Sequence, residues 1–133
     1  MKLSRNKNHF VAQQIVTSVE ALDIDDERKE QLYSFFSLTM RDSSPIPSLC
    51  LVENQNVVAH WICGAVSIEV DFNETGSCYI WGINSQGEKY SSENYTTIIE
   101  QTSLLLREME DILRENNPDW KERYLEATRQ FND

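Results

Sequence analysis

Glycine and proline are scarce in this chain. Four and three among 133 residues are too few for a low-complexity linker, and no internal repeat is visible. Cysteine is scarce too: Cys50, Cys63 and Cys78 are odd in number, so they cannot complete a disulfide framework, and their spacings match no zinc ribbon. Long apolar runs are missing. The basic start Met1–Lys7 leads into a stretch that Gln13, Gln14, Ser18 and Glu20 interrupt. That pattern argues against a signal peptide and a membrane span, and sets the expectation of a cytoplasmic protein. Cations are the most pronounced shortage. Twelve Lys and Arg stand against 22 Asp and Glu, a net charge of −10, and so negative a surface repels phosphate backbones and anionic lipid. Direct nucleic-acid binding and membrane binding are therefore not expected.

What is present is ordinary globular usage, 40% hydrophobic and 26% charged, over a length that suits one domain spanning residues 1–133. Val11, Ile15, Val19 and Leu22 fall at helical steps and predict a helix over 6–22. Asp25 can cap a second helix over 26–41, with Asp26 and Glu27 in its first turn and Leu32, Phe35, Phe36 and Met40 on its buried stripe. Ser43-Ser44-Pro45-Ile46-Pro47 then forbids helix and marks the change to strands.

Residues 48–90 predict a β-meander. Val66–Phe72 alternates apolar and polar residues, the pattern of a strand with one buried face, and Gly64-Ala65 suits a two-residue turn before it. That turn pairs Cys63 with Val66, Trp61 with Ile68, Ala59 with Val70 and Val57 with Phe72. After the strand, Asn73-Glu74-Thr75-Gly76 suits a four-residue loop. It pairs Phe72 with Ser77, Val70 with Tyr79, Ile68 with Trp81 and Val66 with Ile83, which puts Tyr79 and Trp81 in the core. Ser48–Glu53 adds a first strand, and Gly87–Tyr90 extends or follows the last.

Helical spacing returns from Ser92 to Glu115, with an apolar face running from Tyr95 to Leu113. Asn117 can cap a final helix over 118–130 with Pro118 at its first position, offering Trp120, Tyr124, Leu125 and Phe131 to a neighbour. The expected fold class is α+β: an antiparallel three- to four-stranded β-meander with two N-terminal and two C-terminal helices. The charge is unevenly spread, at −1 over residues 1–42, −4 over 43–92 and −5 over 93–133. Its simplest reading is a solvated surface. Its sharper reading is an acidic docking surface for a basic partner.

Candidate chemistry concentrates on the sheet. His60 and Glu69 oppose each other in the predicted register, on the face away from Trp61, with Ser67, Asp71 and Cys78 beside them. A His–carboxylate pair can act as a general base. No nucleophile, oxyanion loop or phosphate-binding glycine run accompanies it, so a cross-strand ion pair is the simpler reading and no enzyme or cofactor is expected. A metal site from His60, Cys63 and Cys78 is disfavoured, because residues three apart in a strand point to opposite faces, and His9 stands alone. Trp61, Phe72, Tyr79 and Trp81 could form a base-stacking platform, but Lys89 is the single cation of that segment, and core packing explains them more simply. The basic cluster Lys2, Arg5 and Lys7 lies at a terminus and points to nothing specific. Val58, Ile62 and Ile80 alternate with His60, Glu69 and Asp71, so this second face is either covered by helices or supplies a protein contact.

The stretch His60-Trp61, Gly64, Val66–Val70 and Tyr79-Ile80-Trp81-Gly82 resembles a pattern in small bacterial proteins to which no chemistry is assigned. It covers residues 57–83, about a fifth of the chain, and its matching residues are structural. Such proteins are similar in size and acidity to the binding partners of toxin–antitoxin, immunity and phage-defence systems. With the compact predicted core, the acidic second half and the lack of a catalytic constellation, the expectation is a non-enzymatic module that binds another protein, a basic one being the sharper reading of the charge. The residues expected to bind are His60, Glu69 and Asp71 on the sheet, Glu108, Asp111 and Glu115 on the third helix, and Trp120. Two alternatives stand beside it: an effector-binding secretion chaperone, which would interleave a helix among its strands, and a small enzyme using His60 with Glu69 or Asp71. A homodimer formed through an open strand edge is a further possibility.

Overall fold

The structure, a computed structural model, describes residues 10–53 and 55–132, with 128–132 as backbone alone. The basic cluster at Lys2, Arg5 and Lys7, His9, the first residues of the predicted N-terminal helix and the side chain of Phe131 lie outside that description. The elements run α1 (Phe10–Glu20), α2 (Asp26–Thr39), β1 (Ser48–Leu51), β2 (Val57–Cys63), β3 (Val66–Phe72), β4 (Cys78–Ile83), β5 (Lys89–Ser92), α3 (Tyr95–Asn116) and α4 (Trp120–Asn132). This is the expected α+β fold, with two helices on either side of the sheet in sequence. The strands number five rather than three or four. Lys89–Ser92 pairs antiparallel with β4 as a separate strand, and the sheet order is β1-β2-β3-β4-β5 throughout.

Local chemistry accounts for most boundaries. Asp25 caps α2 by accepting a hydrogen bond from the Arg28 N–H at 2.9 Å, as its position predicts. Asn94 does the same for α3 through the Thr97 N–H, so that this helix begins at Tyr95, three residues after the predicted start at Ser92. Asn117 closes the C-terminus of α3, and α4 starts at Trp120, so Pro118 lies in the connecting turn and not at a first helical position. Val11, Ile15 and Val19 of α1, and Leu32, Phe35 and Phe36 of α2, are buried as their spacing predicts.

The β2–β3 register is the predicted one, from Cys63↔Val66 to Val57↔Phe72. Gly64 sits at φ +59° in the turn, a conformation that glycine adopts freely. The β3–β4 register is not the predicted one. Phe72 pairs with Cys78, Val70 with Ile80 and Ile68 with Gly82. The loop is one residue shorter than expected. Asn73 already bonds across to Ser77, and Gly76, at φ +91°, closes a three-residue loop that only a glycine accommodates without strain. A one-residue change moves every side chain of a strand to the other face. Cys78 and Ile80 are therefore buried, and Tyr79 and Trp81 point out of the core.

The helices pack on one face only. Phe35 of α2 meets Phe72 edge-on at 5.0 Å, and Phe36 meets Trp61 at 6.1 Å. Each such buried side chain contributes about 1.5–3 kcal/mol by leaving water. The Trp61 indole N–H finds the Pro45 carbonyl at 3.0 Å, which ties the proline segment to the core. The same segment is anchored to α3 by Glu110, 8% exposed, which accepts hydrogen bonds from the hydroxyls of Ser43 and Ser44 and pairs with Arg107 at 2.8 Å. Among the described residues no helix is long and apolar enough to cross a membrane.

Helix α3 packs tightly on the sheet at Gly82, where a Cβ would lie 2.7 Å from Leu105 Cδ1 and 3.4 Å from the Ser67 carbonyl oxygen. Leu105 is fully buried and has little room to move. The Gly82→Val substitution should lower unfolding free energy by about 2 kcal/mol through overpacking. Its cost should fall when Leu105→Ala is introduced as well, so the pair should be less than additive in urea unfolding. Strict additivity would show that the two residues do not share this space.

Candidate functional site

The face turned away from the helices is a grid set by the strand registers. One row runs Ser48, His60, Glu69, Trp81, Ser91 across all five strands. A second runs Cys50, Val58, Asp71, Tyr79, and a third Ile62, Ser67, Ile83, Lys89. None of these side chains belongs to the hydrophobic core of the described residues. Ile62 is 68% exposed, Trp81 42% and Tyr79 36%, whereas Trp61 and Ile80 on the helix side of the same two strands are buried. Neither the Tyr79 hydroxyl nor the Trp81 indole N–H has a hydrogen-bond partner among the described residues. Both rings thus offer an apolar body and an unused polar tip.

Electrostatics on this face are one-sided. Glu69 has His60 and Trp81 as its cross-strand neighbours, and Asp71 has Val58 and Tyr79. No Lys or Arg stands opposite either carboxylate. Lys89, on the edge strand, faces Ile83 in another row. His60 and Glu69 are opposite each other as predicted, but they form no ion pair or hydrogen bond among the described residues, so the expected cross-strand salt bridge is not made. The Asp71 Oδ1 atom is shut off from solvent and accepts no hydrogen bond. Burial first, then the charge of Glu69 and a side-chain hydrogen bond with it, push the Asp71 carboxyl above its usual range.

The other predicted residues lie elsewhere. Glu108 on α3 accepts hydrogen bonds from the Ser85 N–H at 3.2 Å and the Ser85 hydroxyl at 2.7 Å, which fastens the β4–β5 turn to the helix. Asp111 is exposed and pairs with Arg114 at 2.7 Å, and Glu115 is exposed near the end of α3. Trp120 is half-buried, packs on the core and meets Phe10 edge-on at 6.3 Å. It lines a cleft with Ser43, Glu110, Arg114, Pro118 and Lys121. The fold therefore brings His60, Glu69 and Asp71 together, and keeps Glu108, Asp111, Glu115 and Trp120 in the helical layer.

Two expected members of the sheet face are absent from it. Cys78 and Ile80 point into the core, because the shorter loop inverts β4. Tyr79 and Trp81, expected in the core, take their places beside Glu69 and Asp71. The sequence carried two signals for this. Gly76 suits the left-handed third position of a three-residue loop, and Gly82 between two large residues marks the side on which a helix approaches. Cys63 lies on the helix side, its Sγ 3.7 Å from the Met109 carbonyl oxygen, so it is on the opposite face from His60, as parity requires. Among the described residues no group of three or more His, Cys, Asp or Glu side chains is arranged to hold a metal ion.

Comparison of the chain with protein-family models, with curated proteins and with solved structures finds no match. What the protein does is therefore read from this geometry alone.

Asp71 also bears on stability. A carboxyl whose folded-state pKa is raised weakens the fold wherever it is ionised, so the penalty is fully present at neutral pH. It disappears as the pH falls below the ordinary Asp value of about 3.8. The Asp71→Asn variant should melt roughly 1–3 °C above the parent at pH 7, and this gain should shrink towards pH 4. A lower melting temperature at pH 7 would contradict the assigned environment.

Proposed function

We propose that the protein is a non-enzymatic binding module whose open sheet face docks a basic protein partner. The observation that carries this reading is the group Ile62, Tyr79 and Trp81, exposed around Glu69 and Asp71 on a face that no described helix covers. Exposed aromatics with unused polar tips are the side chains that most often anchor protein interfaces. A surface that leaves them in water without a partner gives up the burial that the opposite face of the same strands makes. The net charge of −10 supports a basic partner, since opposite charge raises the encounter rate and excludes acidic competitors. A small acidic module of this kind fits an antitoxin, an immunity protein or an accessory component of phage defence.

Affinity capture from the native host, followed by mass spectrometry, tests the reading. The parent chain should retain a stoichiometric basic protein. A control carrying Asp111→Asn and Glu115→Gln should retain it too, and Ile62→Asp should lose it by at least about tenfold. Recovery of no stoichiometric partner, or equal recovery by Ile62→Asp, would overturn the reading.

A further inference from the structure

Resting on that docking reading, we infer that the face is built to receive an arginine side chain of its partner, with the guanidinium seated between the Tyr79 and Trp81 rings and hydrogen-bonded to Asp71 and Glu69. Tyr79 and Trp81 are two residues apart on one strand and point to the same side. That spacing is about 6.8 Å along the strand. A planar group stacked between two rings needs about 3.5 Å on either side, so the strand spacing matches the thickness of one guanidinium. The strand next to the rings carries the matching charge. Glu69 lies opposite Trp81 and Asp71 opposite Tyr79, so the two carboxylates flank the same interval from β3.

Three features favour arginine over other occupants. Asp71 and Glu69, two residues apart on β3, lie close enough for the Glu69 charge and a side-chain hydrogen bond to raise the Asp71 carboxyl, and a guanidinium brings the positive charge and the paired donors that two such carboxyls can share. Among the described residues no Lys or Arg stands across from either carboxylate, whose cross-strand neighbours are His60, Val58, Tyr79 and Trp81. Lysine would bring the charge, but its ammonium is a compact point charge that cannot stack, whereas arginine stacks and bonds two acceptors at once. A nucleobase would fit between the rings. It would also bring phosphates to a face with two carboxylates, on a chain of charge −10.

The test uses the full chain labelled for NMR and three probes: a flexible peptide with three spaced arginines, its lysine counterpart, and a ten-nucleotide uridine RNA. The arginine peptide should shift the Trp81 indole and the Glu69 and Asp71 amides. It should bind roughly five- to tenfold more tightly than the lysine peptide. Trp81→Leu should abolish that preference while leaving the weaker charge-driven binding, and Asp71→Asn should reduce the affinity for the arginine peptide. Equal affinities for the two peptides, shifts confined to α3 around Asp111 and Glu115, or tighter binding of the RNA would overturn the inference. The two readings fail separately. A captured partner lost in Ile62→Asp, without any arginine preference, leaves the docking face and removes the arginine; an arginine preference without any captured partner does the reverse.

Discussion

Leu105 of α3 occupies the space that a side chain of β4 would fill, directly over Gly82, and the helical layer takes its position from that contact. Strand residues alternate between two faces, so a helix seated over Gly82 assigns Ile80 and Cys78 to the interior and Trp81 and Tyr79 to the exterior. The neighbouring strands follow through their registers. Val57, Ala59 and Trp61, and Val66, Ile68, Val70 and Phe72, join the same interior. Helix α2 adds its phenylalanines to that side. The outer face is left with whatever the alternation places there, and the composition of that face is what invites a functional reading.

The legibility of this fold follows the strength of its local signals. Helical spacing, the Asp25 cap and the Gly64 turn are short-range features whose chemistry admits one solution, and α1, α2 and the β2–β3 hairpin can be read from them. The Asn73–Ser77 segment admits two solutions, loops of three or four residues. The longer loop also places Tyr79 and Trp81 against Val70 and Ile68 in an apolar core, so burial alone favours the wrong register. What decides the matter is the left-handed backbone at Gly76 and the approach of α3 to Gly82, and the second of these is a tertiary contact. For the candidate site, His60, Glu69 and Asp71 are legible because they sit in the well-specified hairpin. Tyr79 and Trp81 are not, because their face depends on the misread loop.

The acidity also acquires a location. Several carboxylates of the C-terminal half serve the fold: Glu108 secures the β4–β5 turn, Glu110 anchors the proline segment, and Asp111 pairs along its own helix. The sheet carboxylates differ from these. Asp71 leaves one oxygen shut away without a donor, an arrangement that weakens the fold and has no structural return within the described chain. Local departures from the stabilising rule are characteristic of surfaces shaped by something other than folding.

The three-residue loop behind Gly76 acts as a parity switch. Glu74, Thr75 and Gly76 are exposed, and length changes in exposed loops are generally among the best tolerated. Closing the same residues as a four-residue loop, with Phe72 opposite Ser77, would exchange the contents of two surfaces: the aromatics would turn towards the helices, and Cys78 and Ile80 would turn outward. A neutral-looking position at the tip of a hairpin thus governs which side chains the molecule shows to its surroundings. In a lineage descended from this chain, the register in which that loop closes would say more about a shared binding surface than the identity of any residue on it.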